Sequence, residues 1–225
     1  MVKSIAIVGG SSDIAKSTIS SMSADNYKFH VLVRDDSHTD ELSASGVSVV
    51  LGDATSEEDI KNFISGVKES GEIHAILHCV GSFAVRPPHA MNKEAFETVI
   101  STNLTSAFLT LSIAGKAMLS QGHGRMVFMS SVAGSLGLVN HEAISAAKGG
   151  IESMVRSAAA TYANRGLRIN AVAPGLTDTK LASPIMSNET ASQAASQKIP
   201  IKRVGQKEEV ANVIKWLIAE APENF

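Results

Sequence analysis

The stretch Gly124-Arg125-Met126-Val127-Phe128-Met129-Ser130-Ser131 is apolar through its centre and ends on two hydroxyls. Apolar residues at consecutive positions, rather than alternate ones, mark a strand buried on both faces, as in a parallel sheet covered by helices. A loop punctuated by Gly134 and Gly137 follows; then Asn140 offers a side-chain N-cap and Glu142 suits the positive end of a helix. That helix is rich in alanine, carries Lys148 and stops near Gly166. The segment thus sets a hydroxyl at a strand's carboxyl end and a lysine two turns into the next helix, where open α/β sheets bind ligands.

The same alternation extends outward in both directions. Residues 3–9 read as a buried strand, followed by the turn Gly9-Gly10-Ser11-Ser12-Asp13-Ile14-Ala15 and a helix to about Ala24. Further strands are expected over Phe29–Arg34, Val47–Leu51, Ile73–Val80 and Leu167–Ala173, the last ending at Pro174-Gly175. Helical patterns cover Asp40–Ala44, Glu57–Lys68, Met91–Gln121 with Asn92 as its cap, and Lys207–Glu220. Residues 176–200 have no sustained apolar period and read as a loop or small helices. Strands alternating with helices predict an α/β fold, a three-layer, Rossmann-like, doubly wound parallel sheet of six strands, in one domain over residues 1–225.

Composition narrows the function. A hydrophobic content of 44% with 19% charged residues is ordinary for a globular protein, and 225 residues suit one domain with a sizeable core. The formal charge of −2 gives no reason to expect nucleic acid as a partner. A single cysteine, Cys79, excludes an internal disulfide and fits a reducing compartment. The apolar run Ile5–Val8 is too short for a signal peptide, and no stretch is read as a membrane span. A cytoplasmic protein with no metal site and no membrane partner is the expectation.

The core segment resembles the short-chain dehydrogenase/reductase family, in which a serine precedes a tyrosine by thirteen residues and a lysine follows that tyrosine by four. Counted from Lys148, the serine falls at Ser131 and the tyrosine position at Ile144. The resemblance runs from Val2 to about Ala219. It implies a dinucleotide held by Gly9, Ser11, Ser12, Asp13 and Ile14 at the first turn, with Asp13 and Ala15 standing where the family has glycine. It places Asp53-Ala54 against adenine, and Val80, Gly81, Lys148, Pro174, Gly175, Thr177 and Thr179 along the nicotinamide half. Where the family closes its second strand on an acidic residue to bind the ribose, this chain has Val33 and then Arg34; a guanidinium suits a 2′-phosphate, so NADP(H) is expected over NAD(H). The family continues into a seventh strand, so a chain stopping at Phe225 is expected to have six.

By the same resemblance Asn103, Ser131 and Lys148 are catalytic, and a small carbonyl or alcohol is the substrate. Ile144 has no acid–base chemistry. A replacement proton donor is sought in His141, one turn before Ile144 and two before Lys148, in Ser145, in His78, or in a water bound to the lysine. Two functions fit: an NADP-dependent oxidoreductase, or a catalytically silent NADP(H)-binding sensor or assembly protein. The family assembles as dimers or tetramers through its two long helices, here Met91–Gln121 and Asn140–Asn164, so a homo-oligomer is expected.

Overall fold

Six parallel strands in the order β3-β2-β1-β4-β5-β6 form the centre of the molecule. The structure is a computed structural model and describes residues 3–23 and 26–225. The strands are β1 (Lys3–Val8), β2 (Tyr27–Val33), β3 (Ser48–Leu51), β4 (Ile73–His78), β5 (Gly124–Met129) and β6 (Leu167–Val172). Consecutive burial of Ile5 to Val8 and of Met126 to Met129 follows from helices on both faces.

One face is covered by α3 (Glu57–Glu69), α5 (Ser106–Gln121) and α6 (Glu142–Tyr162) through Phe63, Leu111, Met118, Ile151 and Val155. The other is covered by α1 (Asp13–Ser21), α2 (Thr39–Ala44) and α9 (Lys207–Lys215) through Ala15, Ile19, Leu42, Val210 and Ile214. α1 and α9 lie against each other, and Lys215 Nζ donates to the Ser21 carbonyl at 3.0 Å. The expected six-stranded, doubly wound architecture is therefore what the chain adopts.

Several boundaries differ. The first helix ends at Ser21; the expected end at Ala24 lies outside the described residues, as does Val2. The long helix over 91–121 is divided into α4 (Lys93–Ile100), a π turn (Ser101–Thr105) and α5. Its side chains compete with the ladder here: Asn103 Nδ2 donates to the Val99 carbonyl and Ser106 Oγ to that of Thr102. The last helix likewise closes on a π turn, Trp216–Glu220.

Residues 176–200 are more ordered than their pattern suggests. They hold β7 (Thr177–Asp178), a 3₁₀ turn (Lys180–Ala182), α7 (Ser183–Met186) and α8 (Glu189–Lys198). β7 pairs in parallel with β8 (Gly205–Gln206). By length and composition alone, the helical stretch Lys93–Gln121 is long and apolar enough to cross a membrane, its most apolar window having a mean hydropathy of 1.2. In the fold, 44% of that apolar window is buried inside the protein.

Candidate functional site

The chain leaves the carboxyl ends of β1 and β4 toward opposite sides of the sheet, which opens a crevice between them. A cleft of about 890 Å³ occupies it. Its floor is Gly9, Ser11, Ser12, Cys79, Val80 and Gly81; one end is Arg34, Asp53, Ala54 and Thr55; α4 and the Lys180–Ala182 turn form the walls.

Gly9 has φ of 87°, and a Cβ there would lie 2.9 Å from both the backbone N and Cγ2 of Val80, so only glycine lets the two strand ends close up. Ser12 caps α1 by accepting the Ala15 N–H at 3.1 Å. Arg34 is exposed at the end of β2. Its neighbour Asp35 is engaged by the N–H and hydroxyl of Ser37, and these bonds hold its carboxyl below the usual range. Asp53 Oδ1 accepts the N–H and hydroxyl of Thr55, both at 2.8 Å, which shapes the turn after β3.

At the other end of the cleft, Gly81 separates an amide from an ammonium group. A Cβ added to Gly81 would lie 3.4 Å from Asn103 Oδ1 and 3.6 Å from Lys148 Nζ. Asn103, fully buried in the π turn, donates to Ser82 Oγ at 2.8 Å and accepts the Ser82 N–H at 3.3 Å. Lys148 donates to the Met129 carbonyl at 2.9 Å, and burial brings its pKa down from 10.5 to about 8. Ser130 Oγ donates to Glu152 Oε1 at 2.9 Å and to the Lys148 carbonyl at 3.2 Å, and Ser135 Oγ donates to Glu152 Oε2 at 2.7 Å. Glu152 thereby pins the turn after β5 to α6. Ser131 starts the 3₁₀ turn Val132–Gly134, its Oγ accepting the Ala133 N–H at 3.2 Å.

Three nearby groups are chemically quiet. His78 is fully buried with Nε2 3.0 Å from Ser106 Oγ; burial, and then the Lys148 charge, lower its pKa to about 3, so it is neutral. Burial pushes the Cys79 thiol up to about 12. Ile144 packs with Val99, Ala133, Ala143 and Ala147 in a small apolar cluster, only 7% exposed.

A family model described as Enoyl-(Acyl carrier protein) reductase matches residues 9–223. The 3-oxoacyl-(acyl-carrier-protein) reductase MabA of Mycobacterium tuberculosis is 32% identical over 219 residues, covering 97% of this chain and 86% of that protein. The chain belongs to the short-chain dehydrogenase/reductase family. Two solved structures of similar shape are ElxO with NADP bound (TM-score 0.93, 25% identity, 100% of this chain and 94% of that one) and levodione reductase (TM-score 0.92, 26% identity, 98% and 92%). Relatives named as reductases and dehydrogenases place the chain among the NAD(P)-dependent oxidoreductases of the short-chain dehydrogenase/reductase family.

Of the residues this family resemblance singled out, Gly9, Ser11, Ser12, Arg34, Asp53, Ala54, Val80 and Gly81 line the cleft; Asn103, Ser131 and Lys148 are not among its lining residues, and Asn103 and Lys148 flank Gly81. Asp13 and Ile14 do not line it; the Asp13 carboxylate is committed to the Lys180 N–H at 2.6 Å. Pro174, Gly175, Thr177 and Thr179 lead into the wall formed by Lys180 and Leu181 without lining it themselves. His141 stands just ahead of α6 with Nδ1 2.7 Å from the Val139 carbonyl, and it too is absent from the cleft walls. Among the described residues, no group of three or more His, Cys, Asp or Glu side chains is placed to hold a metal ion.

Sequence reasoning missed the α4 wall of Glu94, Glu97, Thr98, Ser101 and Thr102. The signal was there: these polar residues recur three and four apart, so they share one helical face.

Proposed function

We propose that the protein is an NADP(H)-dependent oxidoreductase that interconverts a small carbonyl compound and its alcohol by hydride transfer. The observation that carries this reading is the placement of the Lys148 ammonium and the Asn103 amide on either side of Gly81, which lines a cleft that Arg34 also lines. The residues fit a dinucleotide: the cleft holds about 890 Å³, and glycine at positions 9 and 81 lets a bound molecule approach the backbone there. ElxO, similar over the whole chain, is known with NADP bound.

In this reading Gly9, Ser11 and Ser12 hold the diphosphate at the α1 N-terminus, where backbone N–H groups and the helix dipole favour anions. Asp53 and Ala54 border the adenine, Arg34 meets the 2′-phosphate, and Lys148 holds the nicotinamide ribose. Val80, Gly81 and the run Pro174, Gly175, Thr177 and Thr179 frame the nicotinamide. When bound, the cofactor supplies the hydride that carbonyl reduction requires. Ser131 orients the substrate oxygen by donating its hydroxyl proton in a hydrogen bond. Asn103 fixes the Gly81–Ser82 loop through its bonds to Ser82.

Ile144 stands where the family's tyrosine donates a proton. With a pKa of about 8, Lys148 carries a proton at neutral pH yet releases it more readily than an exposed lysine. Lys148, directly or through a water, is therefore the proposed proton source, in preference to His141: the Lys148 ammonium neighbours Gly81 of the cleft, whereas His141 Nδ1 lies against the Val139 carbonyl. The same reading makes the protein a cytoplasmic homo-oligomer, a dimer or tetramer joined along α5 and α6. Exposed Phe108 on α5, with Lys116, Tyr162 and Arg165, lines a hollow of about 530 Å³ there.

A second reading, a silent NADP(H)-binding sensor or assembly protein, draws on the packing of Ile144 in an apolar cluster with Val99, Ala133, Ala143 and Ala147. Binding titrations and a turnover assay across carbonyl substrates separate the two. NADPH is expected to bind more tightly than NADH, with the preference lost in Arg34→Ala; equal binding to the unaltered protein defeats the 2′-phosphate assignment. Turnover is expected in the unaltered protein, kept in His141→Ala, and reduced about 10²- to 10⁴-fold in Lys148→Ala. Turnover appearing only in Ile144→Tyr favours the silent binder.

A further inference from the structure

Asp13 is the first residue of α1, yet its carboxylate does not serve that helix; Ser12 supplies the cap. Asp13 Oδ2 instead accepts the backbone N–H of Lys180 at 2.6 Å, from a residue 167 positions away. Hydrogen bonds to a charged acceptor at this length are among the stronger ones available, and the N-terminus of α1 stabilises the charge that makes it.

Lys180 opens the 3₁₀ turn that follows β7. Behind the turn, β7 is paired with β8; beyond it, α7 and α8 bury no side chain among the described residues. The turn carries Leu181, half exposed, whose Cδ2 lies 4.0 Å from the point a Cβ on Gly81 would occupy, the same point that neighbours Asn103 and Lys148. Lys180 and Leu181 are both wall residues of the cleft. One carboxylate on the dinucleotide side therefore fixes the turn that covers the chemical side.

We propose that Asp13 is a positioning residue that latches the Lys180–Ala182 turn across the cleft, so that Leu181 covers the Gly81 end, which Lys148 and Asn103 flank, and a bound dinucleotide leaves only after the latch opens. This rests on the cofactor reading given above. Charge gives the latch a direction. When it is open, an unpaired carboxylate stands beside the floor formed by Gly9, Ser11 and Ser12 and opposes an anionic diphosphate. When it is closed, that carboxylate is paired with the Lys180 N–H, so the closed turn and the bound dinucleotide favour one another.

The test reads two quantities in unaltered protein, Asp13→Ala and Asp13→Asn: hydrogen exchange at the Lys180 amide without ligand, and the dissociation rate of NADPH followed by its fluorescence. In Asp13→Ala both are expected to rise about tenfold or more, the loss of one charge-assisted hydrogen bond. Asp13→Asn keeps an acceptor oxygen and is expected to restore slow exchange and slow release. Unchanged exchange at Lys180 in Asp13→Ala overturns the latch, as does an Asn variant that behaves like Ala. Faster exchange with unchanged NADPH release overturns its role in cofactor exchange. If NADPH binds none of the three proteins, the cofactor reading and the gating of release fail together, while the exchange measurement still decides whether Asp13 holds the turn.

Discussion

A protonated lysine belongs in water, and Lys148 is held at 6% exposure with one hydrogen bond, to the Met129 carbonyl. Below pH 8 the lysine is protonated both folded and unfolded, and the native state carries the full cost of burying the charge. Between pH 8 and 10.5 the native state gives up its proton first, so stability should rise with pH, by about 3 kcal/mol relative to Lys148→Met. Urea unfolding of the two proteins at pH 7, 9 and 10.5 checks this; a constant gap between them refutes it. His78 works on the opposite limb. Its pKa of about 3, against an ordinary 6.5, means that the unfolded chain takes up a proton below pH 6.5 that the native state refuses. Stability is lost as pH falls through that window, and His78→Asn should be spared about 2 kcal/mol of the loss at pH 5, measured by the same unfolding curves at pH 7 and 5.

At the scale of elements, the loop after β4 is where space matters most. The contacts a Cβ on Gly81 would make, at 3.4 to 4.0 Å, are ordinary van der Waals distances, so Gly81→Ala should fold with its thermal midpoint little changed. The added methyl stands between Asn103 and Lys148, and NADPH affinity should fall about tenfold or more in a direct titration. The strands were legible because burial on both faces leaves unbroken apolar runs, as in Ile5–Val8, Ala75–Leu77 and Met126–Met129. The π turn at Asn103 was not, since its apolar neighbours keep helical spacing on either side and only the side-chain bonds to Val99 and Thr102 disturb it. α8 escaped notice for a related reason: it buries no residue, so no apolar stripe was selected for. In the site, the spacing of Ser131 and Lys148 was readable, whereas the wall of Lys180 and Leu181 depends on Asp13, a partner no local window contains.

For the whole molecule, strand order brings Gly9 against Cys79 and Val80 although they are far apart in the chain; alternating strands and helices were enough to anticipate the doubly wound sheet, not this pairing. What the alternation did not show is how the second face is closed. Ala15, Ile19 and Met22 of the α1 region share their core with Val210, Ile214 and Leu217, so a helix made early is capped by one made about 190 residues later. At translation rates of about 5–20 residues per second, that leaves a greasy surface bare for about 10 to 40 s. Nascent chains stalled after residue 206 should therefore be cut by protease within the first 22 residues and be captured by chaperones, and chains stalled with residues 207–221 clear of the exit tunnel should resist both. The contact between α1 and α9 thus makes closure of this face wait until residues 207–221 have left the tunnel.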